Sequence, residues 1–167
     1  MHTTKKLTFA AIMAALTFIA TRFTQIPIGA LGYVHAGDAL VLLCAFIPGS
    51  TYGILAAGIG SMLADITSGY MIYALPTFII KALMCLCVVL LSNKQKPLSY
   101  RTILGMVLGC ILMMLGYFIF DYFVMGYREL AVVQMIFASW TQAIFGLVCA
   151  YVLLVALVKA KALKFFR

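Results

Sequence analysis

Apolar residues run along this chain in long blocks, and the polar positions between them mark six segments. The first block extends from about Leu7 to Phe23 after Lys5-Lys6. A long connection, Thr24 to Gly37, follows with Pro27, Gly29, Gly32, Tyr33 and His35; connections of this length are often lids or binding loops. The second block, about Asp38 to Ile47, is short, and Pro48-Gly49-Ser50 turns the chain into a third that ends near Ile66. After a Thr67-Ser68-Gly69 break, a fourth block runs from Tyr70 to Leu91. Pro76 is expected to kink or restart it, because proline lacks the N–H that a helix interior needs. The polar stretch SNKQKPLS (92–99) reads as a plain loop. The fifth block is about Tyr100 to Phe123, Arg128 and Glu129 mark the next loop, and the sixth is about Val132 to Val158 before a basic tail.

Spacing within the blocks assigns faces. Gly53, Ala57, Ser61 and Asp65 fall at steps of four, as do Ala56, Gly60 and Ala64. Residues four apart share a helix face, so the third helix has one broad bald side that packs on neighbours, with Asp65 at its end. Tyr70, Tyr73, Thr77 and Lys81 line one face of the fourth helix, and Tyr117 and Asp121 share a face of the fifth. Ala10–Ala14 and Ala11–Ala15 make two small-residue pairs in the first helix; small residues let helices approach closely in lipid. Those pairs serve either packing within the chain or docking of another subunit. Asp38 is placed to cap the second helix at its N-terminus.

Composition turns these blocks into membrane spans. The 167 residues are 66% hydrophobic and only 10% charged, with a mean hydropathy of +1.15. A soluble domain is nearer half apolar and a quarter charged, and a spanning helix needs about 20 mostly apolar residues. The expected fold is an all-α integral membrane protein, a single domain (1–167) built as a compact bundle of six transmembrane helices. The net charge of +8 fits topology better than nucleic acid. With both termini in the cytoplasm, nine of the twelve basic residues fall inside: Lys5, Lys6, Lys94, Lys96, Arg101, Lys159, Lys161, Lys164 and Arg167. Arg22 and Arg128 flank the outer side, so the positive-inside rule is satisfied. The five cysteines (Cys44, Cys85, Cys87, Cys110, Cys149) lie in apolar runs without CxxC spacing and read as packing residues. No cleavable signal peptide is evident.

On this topology Tyr33, His35, Asp65, Tyr70, Tyr73, Tyr117 and Asp121 gather in the outer half, with Lys81 deeper. An ionisable group near the centre of a span costs on the order of 3 kcal/mol unless it faces protein or water, so these residues are functional candidates. The alternative for Lys81 is a structural salt bridge with Asp65 or Asp121. The sequence has no zinc-ligand cluster and no HExxH motif, and catalytic and metal-binding residues are both expected to be none. Polarity confined to one end argues against a channel. The absence of GxxxxGK[ST] means the chain cannot drive uphill transport alone. Aromatic walls with a few convergent polar groups suit a small-molecule receptor.

The run GDALVLLCAFIPGSTYGILAAGIGSMLADITSGYMIYALPTFIIKALM resembles the substrate-capture (S) components of energy-coupling factor (ECF) vitamin transporters, in the riboflavin-type or hydroxymethylpyrimidine-type branch. The elements that carry the resemblance are Gly37-Asp38, Leu63-Ala64-Asp65, Ser68-Gly69-Tyr70, Thr77 and Lys81. The alanine pairs, Gly116-Tyr117 with Asp121, and Gln142 are also similar, whereas Asp121 and Ser139 stand where relatives often carry glutamate and asparagine. The resemblance implies a module in a prokaryotic plasma membrane that binds a small vitamin from outside. It also implies docking through Ala10, Ala11, Ala14 and Ala15 onto a transmembrane coupling subunit served by two ATPases, with ATP used by those partners and no cofactor of its own. The expected cargo is pyridoxine-like or hydroxymethylpyrimidine-like first, then riboflavin or thiamine. The expected binding residues are Tyr33, His35, Asp65, Tyr70, Tyr73, Thr77, Lys81, Tyr117, Asp121, Ser139 and Gln142. The tyrosines at 70, 73 and 117 are expected to hold the ring, and Asp121 and Lys81 its polar edges. The competing readings are a ligand-free accessory membrane subunit, in which Asp65, Lys81 and Asp121 merely pair, and a small uniporter.

Overall fold

The computed structural model describes residues 3–27, 33–47, 49–93 and 95–163. Gly29, Gly32, Pro48, Lys94, Lys164 and Arg167, named above, lie outside them. Seven helices follow in order: α1 (Thr3–Phe23), α2 (Gly37–Leu43), α3 (Ser50–Thr67), α4 (Ala74–Leu91), α5 (Tyr100–Ile119), α6 (Arg128–Gln134) and α7 (Trp140–Lys159). A 3-10 turn at Cys44–Phe46 extends α2, and another at Met71–Tyr73 leads into α4. π-helical turns at Phe120–Val124 and Met135–Ser139 extend α5 and join α6 to α7. The connection after α1, expected as a loop, carries a short antiparallel ladder, β1 (Ile26–Pro27) and β2 (Tyr33–Val34), with Ile26 opposite Val34 and Pro27 opposite Tyr33.

Among the described residues, four helical stretches are long and apolar enough to cross a bilayer: Thr3–Phe23, Met71–Leu91, Tyr100–Val124 and Arg128–Lys159. The last starts at Arg128, so the polar pair expected in a loop belongs to the first turn of the helix. α2 is too short to be counted with them, and it is also the most enclosed element. All of Gly37–Leu43 except Leu40 is buried, and Val41, Leu42, Cys44 and Ala45 expose nothing. A helix apolar on every side belongs in a core, and α2 fills the middle of the bundle between α1, α3, α4 and α7. Leu16, Ile19, Leu90, Phe123, Ile144 and Val152 are exposed; such an apolar exterior suits lipid.

Around α2, α1 packs on α3, α3 on α4, and α4 on α5. The bald side of α3 explains the first of these seams. A Cβ at Gly60 would strike the Ala14 carbonyl and come within 2.9 Å of Thr17 Cβ. A Cβ at Gly109 would lie 2.8 Å from the Met84 carbonyl, so α4 and α5 also meet backbone to backbone.

The break after α3 is a Schellman motif. Gly69 takes φ +86°, the Gly69 N–H donates to Ile66 O (3.4 Å) and the Tyr70 N–H to Asp65 O (2.9 Å). That turn fixes Tyr70 beside the end of α3. Pro76 sits in the first turn of α4, where an N–H has no intrahelical acceptor to lose. The proline therefore restarts the helix after the 3-10 turn.

Candidate functional site

One cavity of about 470 Å³ opens between the C-terminal ends of α1, α3 and α5 and the N-terminal ends of α4 and of the α6–α7 helix. It lies at the end of the bundle away from the basic residues Lys5, Lys6, Lys96, Lys159 and Lys161. Its size is in the range of small-molecule sites, about 300–1,000 Å³.

The floor is built on α4 and α2. Lys81 is 1% exposed and pairs with Asp38, which is fully buried. The ammonium also reaches Met113 Sδ at 3.0 Å and stands 5.4 Å from the centre of the Tyr117 ring. The Gln142 amide nitrogen donates to the other Asp38 oxygen at 2.6 Å. Asp38 therefore holds α4 and α7 together through both carboxylate oxygens. One turn above, Thr77 Oγ1 and the Tyr117 hydroxyl share a hydrogen bond of 3.0 Å.

The rim is aromatic. Ring centres step from His35 to Tyr33 (5.6 Å), from Tyr33 to Tyr70 (5.2 Å), from Tyr70 to Tyr73 (6.4 Å) and from Tyr73 to Phe120 (5.3 Å). Carboxylates anchor two of these rings: the Tyr33 hydroxyl donates to Asp65 Oδ1 at 2.6 Å and the Tyr73 hydroxyl to Asp121 Oδ1 at 2.8 Å. Burial, and then the Asp65 carboxylate, push the Tyr33 phenol above its ordinary value, so it stays protonated and donates. Gln25 Nε2 donates to Ser68 Oγ at 2.9 Å, tying the ladder segment to the end of α3.

His35 lies between rim and floor. The Gly37 N–H donates to its Nδ1 at 3.1 Å, which leaves the ring proton on Nε2. Burial lowers its pKa to about 4 against a partial pull upward from Asp38, so the ring is neutral. Gln142 Nε2 lies 3.3 Å from His35 Nε2. With a proton on each nitrogen, that is an approach of two donors and bonds neither.

Tyr33, His35, Asp65, Tyr70, Tyr73, Thr77, Lys81, Tyr117, Ser139 and Gln142 line this cavity. Asp121 stands behind Tyr73 instead of lining it. Lys81 does make a salt bridge, the alternative to its ligand-binding role, but with Asp38 and not with Asp65 or Asp121, both of which bind tyrosine hydroxyls. Asp38 makes no side-chain cap; it is the second residue of α2 and turns inward to the ammonium. The general rule that an ionisable residue in an apolar block needs a partner was the signal for it. Thr21, Ser61, Met113, Tyr127 and Gln134 also line the cavity, and the sequence reading did not select them. On α1, Ala10 is 8% exposed and in the core, Ala14 is partly buried, and Ala11 and Ala15 are exposed. Only the second alanine pair is open to a partner helix.

A solved structure described as "Structure and mechanism of the S component of a bacterial ECF transporter" superposes with a TM-score of 0.73 at 22% identity, over 99% of this chain and 100% of that one. A Pyrococcus woesei protein described as "Uncharacterized protein in gap 3'region" is 40% identical over 100 residues. The match is 59% of this chain and 66% of the relative, just under two thirds of its length. Residues 1–159 match the family described as ECF-type riboflavin transporter, S component. With that match running through every element that builds the cavity, the chain belongs to the family of ECF-type riboflavin transporter S components.

Proposed function

We propose that this protein is the substrate-capture subunit of an ECF-type importer, taking a small water-soluble vitamin with a heteroaromatic ring into the cavity from outside the cell. The observation that carries the reading is the cavity itself. A chain of tyrosines borders it, buried polar groups floor it, and it opens at the end of the bundle away from Lys5, Lys6, Lys96, Lys159 and Lys161. Aromatic side chains offer a flat ring stacking surfaces, and a few fixed donors and acceptors set its orientation. Riboflavin leads the candidates because the matched family carries its name. Pyridoxine and hydroxymethylpyrimidine, which the sequence reading puts ahead, and thiamine complete the panel.

The positive-inside distribution supports six passes through a prokaryotic plasma membrane, with both termini in the cytoplasm. The chain lacks an ATP-binding loop, so delivery falls to a coupling subunit and two ATPases. The exposed Ala11–Ala15 pair of α1 is the proposed docking face. The test is purification in detergent, identification of co-purified small molecules by mass spectrometry, and titration calorimetry with the four compounds. Saturable one-to-one binding of one of them is expected. No binding by any of the four would leave the accessory-subunit reading standing instead.

A further inference from the structure

The buried polar side chains that line the cavity divide into two groups. Asp65, Thr77 and Lys81 are committed to protein partners: Tyr33, Tyr117 and Asp38 respectively. Thr21 is 2% exposed and Ser61 1% exposed, and neither hydroxyl has a hydrogen-bond partner among the described residues. His35 adds a third group, because Gly37 occupies Nδ1 and, among the described residues, the Nε2–H faces only another donor. Thr21 and His35 are neighbours, since a Cβ at Gly37 would meet both Thr21 Oγ1 and His35 Nδ1; Ser61 lines the same cavity from α3, the helix that packs on α1.

Helical serine and threonine hydroxyls usually satisfy themselves on the carbonyl a turn earlier. Thr8, Thr67 and Thr141 do so here, while Thr21 and Ser61 do not. A buried hydroxyl left unpaired is destabilising, so its retention on a cavity wall points to a partner that arrives with the ligand. We propose that Thr21, Ser61 and the Nε2–H of His35 form a subsite for a neutral, hydroxylated arm of the captured molecule, a hydroxymethyl group or a polyol chain. The inference rests on the ligand-capture reading above and assigns one part of the ligand to one wall.

An alcohol suits this wall better than an acid. Each alcohol oxygen accepts from His35 and exchanges donor and acceptor roles with the two side-chain hydroxyls. A carboxylate or phosphate would need a spare cation, and Lys81 is already neutralised by Asp38.

The test pairs ligands that differ only in the arm. Riboflavin is compared with lumiflavin, which carries a methyl group where riboflavin has its ribityl chain, and pyridoxine with 4-deoxypyridoxine. Each is titrated against wild type, Thr21→Val, Ser61→Ala and the double variant, and the thermal midpoint of each ligand-free protein is recorded. We expect each substitution to weaken the hydroxylated member of the bound pair roughly five- to tenfold, with the stripped member changing less than about twofold. The ligand-free midpoint stays level or rises, since an unpaired buried hydroxyl has been removed. Equal weakening of both members, or of neither, overturns the subsite while leaving vitamin capture intact. A fall in the ligand-free midpoint together with equal weakening assigns the hydroxyls to packing and also overturns it. Failure of every vitamin to bind wild type overturns both readings at once.

Discussion

Removing either partner of the Asp38–Lys81 pair should destabilise the protein far more than removing both. Both side chains are within 1% of complete burial. Lys81→Met leaves the Asp38 carboxylate with only the Gln142 amide as a donor, and Asp38→Asn leaves an ammonium facing an amide and a thioether. Breaking a buried pair on one side costs about 3–5 kcal/mol, whereas replacing both charges by neutral groups of similar volume is close to neutral. For a chain of this size each kcal/mol moves Tm by about 2–4 °C, so each single variant should lose about 6–20 °C. The double variant Asp38→Asn/Lys81→Met should recover to within about 5 °C of wild type. Thermal unfolding in detergent, on ligand-free protein, completes the double-mutant cycle. A double variant whose loss equals the sum of the two single losses would refute the argument, because independent sites add and paired ones do not. The cycle also separates stability from capture: Lys81 lines the cavity and Asp38 does not, so a stable double variant measures what the ammonium contributes to ligand binding.

Two further predictions concern pH and docking. His35 titrates at about 4 when folded against 6.5 when free. The unfolded chain therefore holds more protons between those values, and stability is full above pH 6.5 and falls as pH drops toward 4, by roughly 3 kcal/mol. His35→Asn keeps an acceptor for the Gly37 N–H and should flatten that part of a Tm-against-pH curve; an unaltered slope would assign it to other groups. Ala11→Trp with Ala15→Trp should leave vitamin affinity within about twofold and abolish co-purification with the coupling subunit, since bulky residues hold a partner helix off. Intact co-purification would move the docking face elsewhere.

The parts of the fold legible in the sequence were those that local chemistry decides. Long apolar blocks, the Thr67-Ser68-Gly69 turn and Pro76 at a helix start each follow from one or two residues. Helical spacing also placed Thr77 and Lys81 on the face of α4 that meets the cavity, whereas Tyr70 and Tyr73, expected on the same helix, precede it and reach the cavity from the turn after α3 and the 3-10 turn. The partner of Lys81 was not legible in that way. It lies 43 residues earlier, on a segment whose shortness concealed that it runs through the centre of the bundle. Thr21 and Ser61 resemble any helical hydroxyls until packing shows that they have no partner among the described residues. The π turns leave no trace in composition. On a regular helix, Gln134, Ala138 and Gln142 would drift about 40° at each step of four. The wider turn at Met135–Ser139 absorbs that drift and keeps all three on the cavity, as such turns often do at functional sites.

The glycine contacts decide where this receptor can be retuned. Along α1, α3, α4 and α5, a single added carbon at Gly60 or Gly109 meets a main-chain carbonyl, which has no rotamer to move into. The α6–α7 helix has one close glycine, Gly146, and its neighbour is the side chain of Asp38 at 2.9 Å. Leu130, Gln134 and Ser139 on that helix border the cavity without carrying a seam. Changes that add bulk to the cavity are therefore open to single substitutions on this wall, while added bulk at Gly60 or Gly109 in the opposite seams needs a compensating change.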